Sequence, residues 1–156
     1  MATLVDTSIL LRRYDPRDRD KQALASRVLR MGLAQEILFL PHQAIVEFLA
    51  VATQPQADLP GGGPLLSREL AVREAEELMV ELPVLHPCDE MLRLALRGLT
   101  YGLSWPDAHL LAYAEHYELD SILSEDFEHE RFYGQVRVIN PFMPIDTVHE
   151  TRARYG

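Results

Sequence analysis

Residues 3–12 read TLVDTSILLR: a short apolar run stops at Asp6, and two hydroxyl residues follow. The apolar run predicts a buried β-strand that ends on a carboxylate. Such an acid can cap a turn or helix by accepting a backbone N–H, or it can bind a metal ion at the carboxyl edge of a sheet. Only the companions of Asp6 elsewhere in the chain can decide between these two roles.

Short apolar segments alternate with helical patterns along the rest of the chain. The predicted strands are residues 3–5, 36–41, 84–86, 121–124 and 136–139. The predicted helices are residues 20–32, ended by Gly32, and residues 42–54, 67–82, 89–102 and 104–119. This alternation is typical of a parallel sheet with helices on both faces. We predict an α/β fold, a three-layer α/β/α arrangement around a central, mostly parallel sheet of about five strands, in a single domain over residues 1–156.

Composition narrows the class of protein. No apolar run is long enough to span a membrane, and the first strand is predicted from residue 3, which leaves no room for a cleaved signal peptide. Cys88 is the single cysteine, so no internal disulfide can form. We therefore expect a soluble, cytoplasmic protein.

The charge is strongly acidic on average but not evenly distributed. The net charge of −9 argues against a protein that neutralises nucleic-acid phosphates over a wide face. Residues 12–30 nevertheless carry seven basic residues against three acidic ones. These charges are either ordinary solvated side chains or a local patch that attracts phosphate.

Three further acids stand at positions that purely structural roles explain only in part. Glu47 has apolar neighbours on both sides, so its carboxylate is costly to bury unless a cation meets it; the alternative is that it leans out of the helix. Asp107 lies in the first turn of a helix, three residues after Ser104, which is also the spacing of a capping box. Asp126 follows residues 121–124, a second strand that ends among acids.

The predicted topology brings these acids together. If the strands before Asp6 and Asp126 lie centrally in one parallel sheet, both side chains emerge at the same edge, where helices can present Glu47 and Asp107. Four carboxylates in one pocket repel one another, and divalent cations remove the conflict. Oxygen-only ligands suit Mg²⁺ or Mn²⁺, and the chemistry they imply is metal-assisted phosphodiester cleavage.

With these segments assembled, the sequence resembles the PIN-domain ribonucleases, in particular the VapC-type toxins of toxin–antitoxin pairs. The resemblance covers most of the chain in four ordered motifs. They are VDTSILLR at 5–12, HQAIVEFLAV at 42–51, YGLSWPDAHLLAYA at 101–114, and LSEDFEH at 123–129 followed by VRVINPF at 136–142. Pro106 departs from the aromatic or polar residue that is more usual before the third acid, and the glycine-rich loop at 55–64 is longer than in many relatives.

The resemblance implies a role for each motif residue. Asp6, Glu47 and Asp107 would hold the catalytic metal, and Asp126 would complete the pocket. Ser8 and Ser124 stand where the family has hydroxyl residues that orient the acids. Position alone makes Arg12 and Arg13, which closely follow the first motif, candidate RNA contacts. His129, three residues after Asp126, is a third candidate, with capping of its loop as the alternative role.

The resemblance also implies an activity and partners. The activity is endonucleolytic hydrolysis of RNA that leaves a 5′-phosphate, with Mg²⁺ or Mn²⁺ as cofactor. The partners are the RNA substrate, a cognate antitoxin protein whose C-terminal segment covers the acidic groove, and a second copy of the chain in a homodimer.

A second enzyme class and a signalling domain both fit the sequence poorly, whereas a binding role stays open. A phosphatase with an aspartyl nucleophile needs an acid two positions after Asp6, where Ser8 stands. A receiver-like signalling domain needs a lysine late in the chain, and Lys21 is the only lysine. A catalytically inactive PIN-like domain that binds RNA or protein remains the alternative, although four unused like charges would only destabilise such a fold.

Overall fold

The computed structural model describes residues 1–97, 101–128 and 130–143 of the chain. Its framework is a six-stranded sheet in the order β3-β2-β1-β4-β6-β5, parallel except for the pairing of β5 with β6. The strands are β1 (Thr3–Val5), β2 (Leu38–Pro41), β3 (Val84–Leu85), β4 (Ser121–Leu123), β5 (Phe132–Tyr133) and β6 (Val136–Ile139). The predicted α/β fold is confirmed, with β5 as one strand more than the five that the pattern predicted.

Helices cover both faces of this sheet. They are α1 (Thr7–Arg12), α2 (Arg19–Ala34), α3 (His42–Ala52), α4 (Arg68–Glu81), α5 (Asp89–Arg97) and α6 (Trp105–His116), with a 3₁₀ turn at Pro60–Gly62. In the residues that the structure describes, none of these helices is long and apolar enough to cross a membrane.

The side chains of the central strands alternate between two cores, as the pleat requires. Val5 and Leu123 pack into the core formed with α1 to α4, whose largest buried side chain is Phe48. Leu4 and Ile122 point to the opposite face and pack with α5 and α6. Because both faces are covered, the central strands are mostly apolar, and their buried polar residues Thr3 and Ser121 bond to each other at 2.8 Å. The three-layer prediction holds.

Side-chain caps set the start of three helices. Asp18 accepts the backbone N–H of Lys21 at the start of α2, and Ser67 accepts that of Leu70 at the start of α4. Ser104 does the same for Asp107 in α6. Each cap satisfies a backbone donor that has no partner within the helix, so polar residues before apolar repeats fix where these helices begin.

Two local features differ from the sequence prediction. Helix α1 was not predicted, because its six residues are too few to show a helical repeat. Gly32 does not end α2, which continues to Ala34. A Cβ at Gly32 would lie 2.6 Å from the Leu38 side chain, so this glycine instead allows β2 to pack closely against the helix.

The register of β1 and β4 positions the functional edge of the sheet. Val5 pairs with Leu123, and the backbone N–H of Asp6 donates to the Leu123 carbonyl at 3.0 Å. The chain therefore leaves both strands side by side. Since β2 lies on one side of β1 and β4 on the other, these residues flank the topological switch point where α/β proteins bind ligands.

Candidate active site

The four carboxylates singled out in the sequence line one cavity of about 350 Å³, called here the acid pocket. Asp6 follows β1, and Asp126 lies in the segment after β4. Glu47 lies on α3, and Asp107 lies in the first turn of α6. These two helices pack on opposite faces of the sheet, so the four acids reach the pocket from four separate elements.

Asp6 fills the capping role that the sequence left open, and its metal-binding role stays a prediction. Its Oδ1 accepts the backbone N–H of Thr7 at 2.7 Å, which caps α1. Its Oδ2 accepts hydrogen bonds from Ser124 Oγ at 2.6 Å and from Ser8 Oγ at 3.2 Å. The carboxylate is therefore held in one orientation at the wall of the pocket, whatever binds there.

Ser124 connects two of the four acids. It is fully buried, and its backbone N–H donates to the Ile139 carbonyl at 3.0 Å, which fixes it beside β6. Its hydroxyl donates to Asp6 and accepts the backbone N–H of Asp126 at 3.1 Å. Ser8 and Ser124 thus make the contacts that orienting residues need, and their functional role stays a prediction.

Glu47 is positioned by Thr7, a contact that the sequence pattern did not predict. Thr7 is buried, and its Oγ1 donates to Glu47 Oε2 at 2.8 Å. Glu47 itself is exposed, because Ile45 and Phe48 turn into the core while the carboxylate faces the pocket. The only sequence signal for Thr7 was a second hydroxyl beside Asp6, and spacing alone could not assign its partner.

The pKa values report uncompensated negative charge in the pocket. Burial raises the pKa of Asp107, and the charge of Asp6 raises it further, while the hydrogen bond to Ser104 opposes the rise. Burial and the neighbouring Asp6 raise the pKa of Asp126 to about 6. In the described part of the chain, none of the four acids forms an ion pair with lysine, arginine or histidine.

A neutral pair bridges the two helices that carry Glu47 and Asp107. Gln43, which lines the pocket from α3, places its Nε2 3.0 Å from Nδ1 of His109 on α6. The other amide atom, Oε1, is buried without a hydrogen-bond partner among the described residues. Burial lowers the pKa of His109 against the opposing effect of Glu47, which favours the neutral imidazole in this bridge.

The candidate RNA contacts have three different outcomes. Arg12 lines a neighbouring cavity, with its Nε donating to Glu125 at 2.9 Å and its Nη1 lying 3.7 Å from Asp15. The Arg13 guanidinium lies over the Tyr14 ring, 5.7 Å from its centroid, and does not line the acid pocket. His129 lies outside the described residues.

The donor set fits a hard divalent cation, because all four acids offer carboxylate oxygen. In the ranges that the structure describes, no three His, Cys, Asp or Glu side chains are close enough to share one ion as they stand. Glu47, which Thr7 holds by a hydrogen bond, and Asp126 are both exposed at the pocket. The metal-ligand assignment therefore stays a prediction that the shared pocket supports.

Known proteins with this fold include bacterial toxins. The chain shares 14% identity with a toxin–antitoxin complex from Klebsiella pneumoniae, covering 92% of this chain and 100% of that chain at a TM-score of 0.64. VapC20 of Mycobacterium tuberculosis, described as a Sarcin-Ricin loop cleaving toxin, is 17% identical; the match covers 87% of this chain and 99% of that chain at a TM-score of 0.61. DNA-bound VapBC of Salmonella typhimurium is 11% identical; the match covers 90% of this chain and 98% of that chain at a TM-score of 0.63.

Identities this low show a common fold and no more. No curated protein sequence matches the chain significantly. The family model of the PIN domain, however, matches residues 3–135, which is well over half of the chain and includes all four pocket acids. The chain therefore belongs to the PIN domain family.

Proposed function

We propose that this protein is a metal-dependent endoribonuclease and the toxin of a toxin–antitoxin pair. The observation that carries the proposal is the acid pocket, where carboxylates from four separate elements line one cavity at the switch point of the sheet. Membership of the PIN family and the likeness to a solved toxin described as cleaving an RNA loop support the same activity.

Each pocket residue has a distinct task in this proposal. Asp6, Glu47 and Asp107 would hold Mg²⁺ or Mn²⁺, and Asp126 would complete the pocket. When bound, such an ion supplies a water of lowered pKa and positive charge opposite the phosphate. The hydroxyls of Ser8 and Ser124 keep Asp6 turned to the pocket, and Thr7 does the same for Glu47.

The proposed partners follow from the same relationship. Similar solved structures are toxin–antitoxin complexes, which supports a cognate antitoxin protein that binds this chain. We extend the proposal to a homodimer and to action on cytoplasmic RNA, both of which rest on the family resemblance. Size-exclusion chromatography with light scattering tests the dimer directly.

Cleavage of a panel of structured and single-stranded RNAs tests the activity. Reactions contain Mg²⁺, Mn²⁺ or EDTA and compare the wild type with Asp6→Asn and Asp107→Asn, purified identically. We expect metal-dependent cleavage by the wild type and a loss of at least about a hundredfold in both variants, because each removes a metal-binding charge. Asp58→Asn, which changes an exposed aspartate outside the pocket, is the matched control and keeps full activity.

Equal cleavage by the wild type and both pocket variants would trace the activity to a contaminant and overturn the proposal. A catalytically inactive binding domain is the alternative, and metal binding separates the two. If Mn²⁺ raises the melting temperature of the wild type but not of Asp6→Asn, the pocket holds metal. An identical response in both proteins would remove the ligand assignment.

A further inference from the structure

A cluster of opposite charges lies beside the acid pocket and is called here the rim cluster, formed by Arg12, Lys21 and Glu125. Arg12 donates to both carboxylate oxygens of Glu125, at 2.9 Å from Nε and 3.3 Å from Nη2. Lys21 Nζ lies 3.3 Å from Oε2 of the same carboxylate. The Glu125 side chain is only 16% exposed, so one largely buried glutamate engages two cations.

The rim cluster borders the acid pocket directly. Arg12 and Glu125 line a second cavity of about 200 Å³, and this cavity shares Ser8, Leu11 and Val51 with the wall of the acid pocket. Glu125 also immediately precedes Asp126 in the chain. A polymer that enters the acid pocket and continues past Ser8 therefore meets Arg12 and Glu125 next.

The bonding pattern of the rim cluster matches that of a phosphate site. A phosphodiester offers two charged oxygens to a guanidinium and an ammonium, as the Glu125 carboxylate does now. The net charge of −9 disfavours RNA binding overall, and Glu125 neutralises part of the charge on two cations that could contact RNA.

We propose that Arg12 and Lys21 form a subsite for an RNA backbone phosphate and that Glu125 occupies this subsite in the free protein as an internal competitor. The phosphate displaces the carboxylate and takes over its contacts to both cations. Glu125 thereby lowers the affinity for RNA and makes binding depend on a chain long enough to reach past the acid pocket. This inference rests on the proposed function, because it assumes that the pocket binds RNA.

Binding of a fluorescein-labelled single-stranded RNA, measured by anisotropy in EDTA over a series of salt concentrations, tests the subsite without cleavage. Glu125→Gln should bind about 3–10-fold more tightly than the wild type. The slope of log K against log salt should steepen by about 0.7 for each additional phosphate that the protein neutralises. Arg12→Gln should weaken binding and, combined with Glu125→Gln, should remove most of the increase in affinity.

The matched control is Glu128→Gln, which removes the same charge three residues later. Glu128 pairs with Arg131 at 2.9 Å, and its side chain is 71% exposed and lines neither of the two cavities. It should therefore show only the small general effect of removing one negative charge. Melting temperatures of all variants establish that differences in binding come from folded protein.

Equal affinities and salt slopes for Glu125→Gln and Glu128→Gln would overturn the subsite, as would undetectable binding by Glu125→Gln at the lowest salt. Failure of the proposed function looks different. In that case the wild type would show no metal-dependent cleavage, whether or not Glu125→Gln binds RNA more tightly. Cleavage by the wild type together with equal binding by the two glutamine variants would reject the subsite alone.

Discussion

The acid pocket and the rim cluster are neighbours with opposite electrostatic designs. In the pocket, like charges face one another, and hydrogen bonds from Thr7 and Ser124 hold two of the carboxylates in place. In the rim cluster, Arg12 and Lys21 are already paired with Glu125. The acid pocket holds negative charges that no cation in the described part of the structure neutralises, whereas the charges of the rim cluster neutralise one another.

The difference shows where a ligand binds most favourably. The carboxylates of the pocket repel one another, and burial makes their charged forms still less favourable. A cation that binds there removes this cost and therefore stabilises the folded protein. An anion at the rim must first displace a carboxylate of similar chemistry, so its net binding free energy is small. If the proposed function is correct, metal binding should supply most of the affinity of the site, and the rim cluster should change it only slightly.

Among the variants that test this difference between the pocket and the rim, Ser124→Ala is expected to have the largest effect, on the affinity for metal. The substitution removes the 2.6 Å hydrogen bond to Asp6 and frees the carboxylate to rotate. Loss of such an orienting contact weakens metal binding by about 10–100-fold, which titration calorimetry with Mn²⁺ would measure.

Ser121→Ala is the matched control for that experiment. Ser121 is an equally buried serine of β4, but its hydroxyl bonds to Thr3 at 2.8 Å, toward the other end of the strand. We expect it to alter stability while leaving the affinity for Mn²⁺ unchanged. An equal loss of affinity in both serine variants would show that the effect spreads through the sheet and does not act through Asp6.

Burial, together with repulsion from the neighbouring acids, predicts a pH dependence of stability in the metal-free protein. The pKa of Asp126 rises from 3.8 to about 6 on folding, so its protonated form favours the folded state. This contribution is fully present below about pH 4 and is lost as the pH rises through about 6. Asp126→Asn never ionises and should therefore show a rising melting temperature relative to the wild type across this interval.

The expected difference at pH 7.5 is about 2–4 °C, or about 1 kcal/mol, because Asp126 is exposed and solvent screening reduces the full effect. Thermal unfolding in EDTA at a series of pH values measures it. A difference between the two proteins that stays constant from pH 4 to 7.5 would mean that folding does not raise the pKa of Asp126.

Removing the contact between Gln43 and His109 tests whether uncharged side chains help to hold α3 and α6 in place at the pocket. Gln43→Ala removes the 3.0 Å contact between α3 and α6 and should lower the free energy of unfolding by about 1 kcal/mol. Urea titration of this variant, of His109→Ala and of the double variant measures the coupling between the two side chains. Strictly additive effects would show that the two side chains stabilise their helices independently.

Local sequence rules were enough to predict the parts of the site that lie at strand ends. Asp6 and Asp126 each follow a short apolar run, and the carboxyl ends of parallel strands meet at one edge. The sequence also predicted that Glu47 and Asp107 would join them, but the physical reason for Glu47 was incomplete. Its carboxylate is exposed at the pocket and not enclosed by its apolar neighbours.

The contacts that position these acids could not be predicted from the sequence. Thr7 reaches Glu47 across 40 positions of the chain, and Gln43 reaches His109 across 66. Neither pair belongs to a periodic pattern, because each depends on how two helices meet at the carboxyl edge of the sheet. Helix α1 and strand β5 were missed for a related reason: with six and two residues they are too short for periodicity to show.

The smallest expected effect is that of Asp58→Asn, which tests the charge pairs that extend beyond the rim cluster. Arg17 bonds to Asp58 at 2.7 Å, but the Asp58 side chain is 72% exposed, so the pair should contribute less than about 0.5 kcal/mol. Arg17 also bonds to Asp15, which is buried, and this contact lowers the pKa of that carboxyl. Asp15→Asn should therefore destabilise the protein more at pH 7 than Asp58→Asn.

The difference in stability between these two variants should shrink as the pH falls. The lowered pKa of Asp15 stabilises the folded protein at pH values above the pKa of the unfolded state, and this contribution is lost as the pH falls through the pKa of the folded state. Urea unfolding at pH 7 and near pH 3 measures both variants. If Asp58→Asn were as destabilising as Asp15→Asn, surface pairs here would hold structure more strongly than their exposure allows. Breaking the ion pairs of the rim cluster to bind a phosphate would then cost considerable free energy. The proposed contrast between a rim that exchanges its anion and a pocket that gains a cation would be wrong.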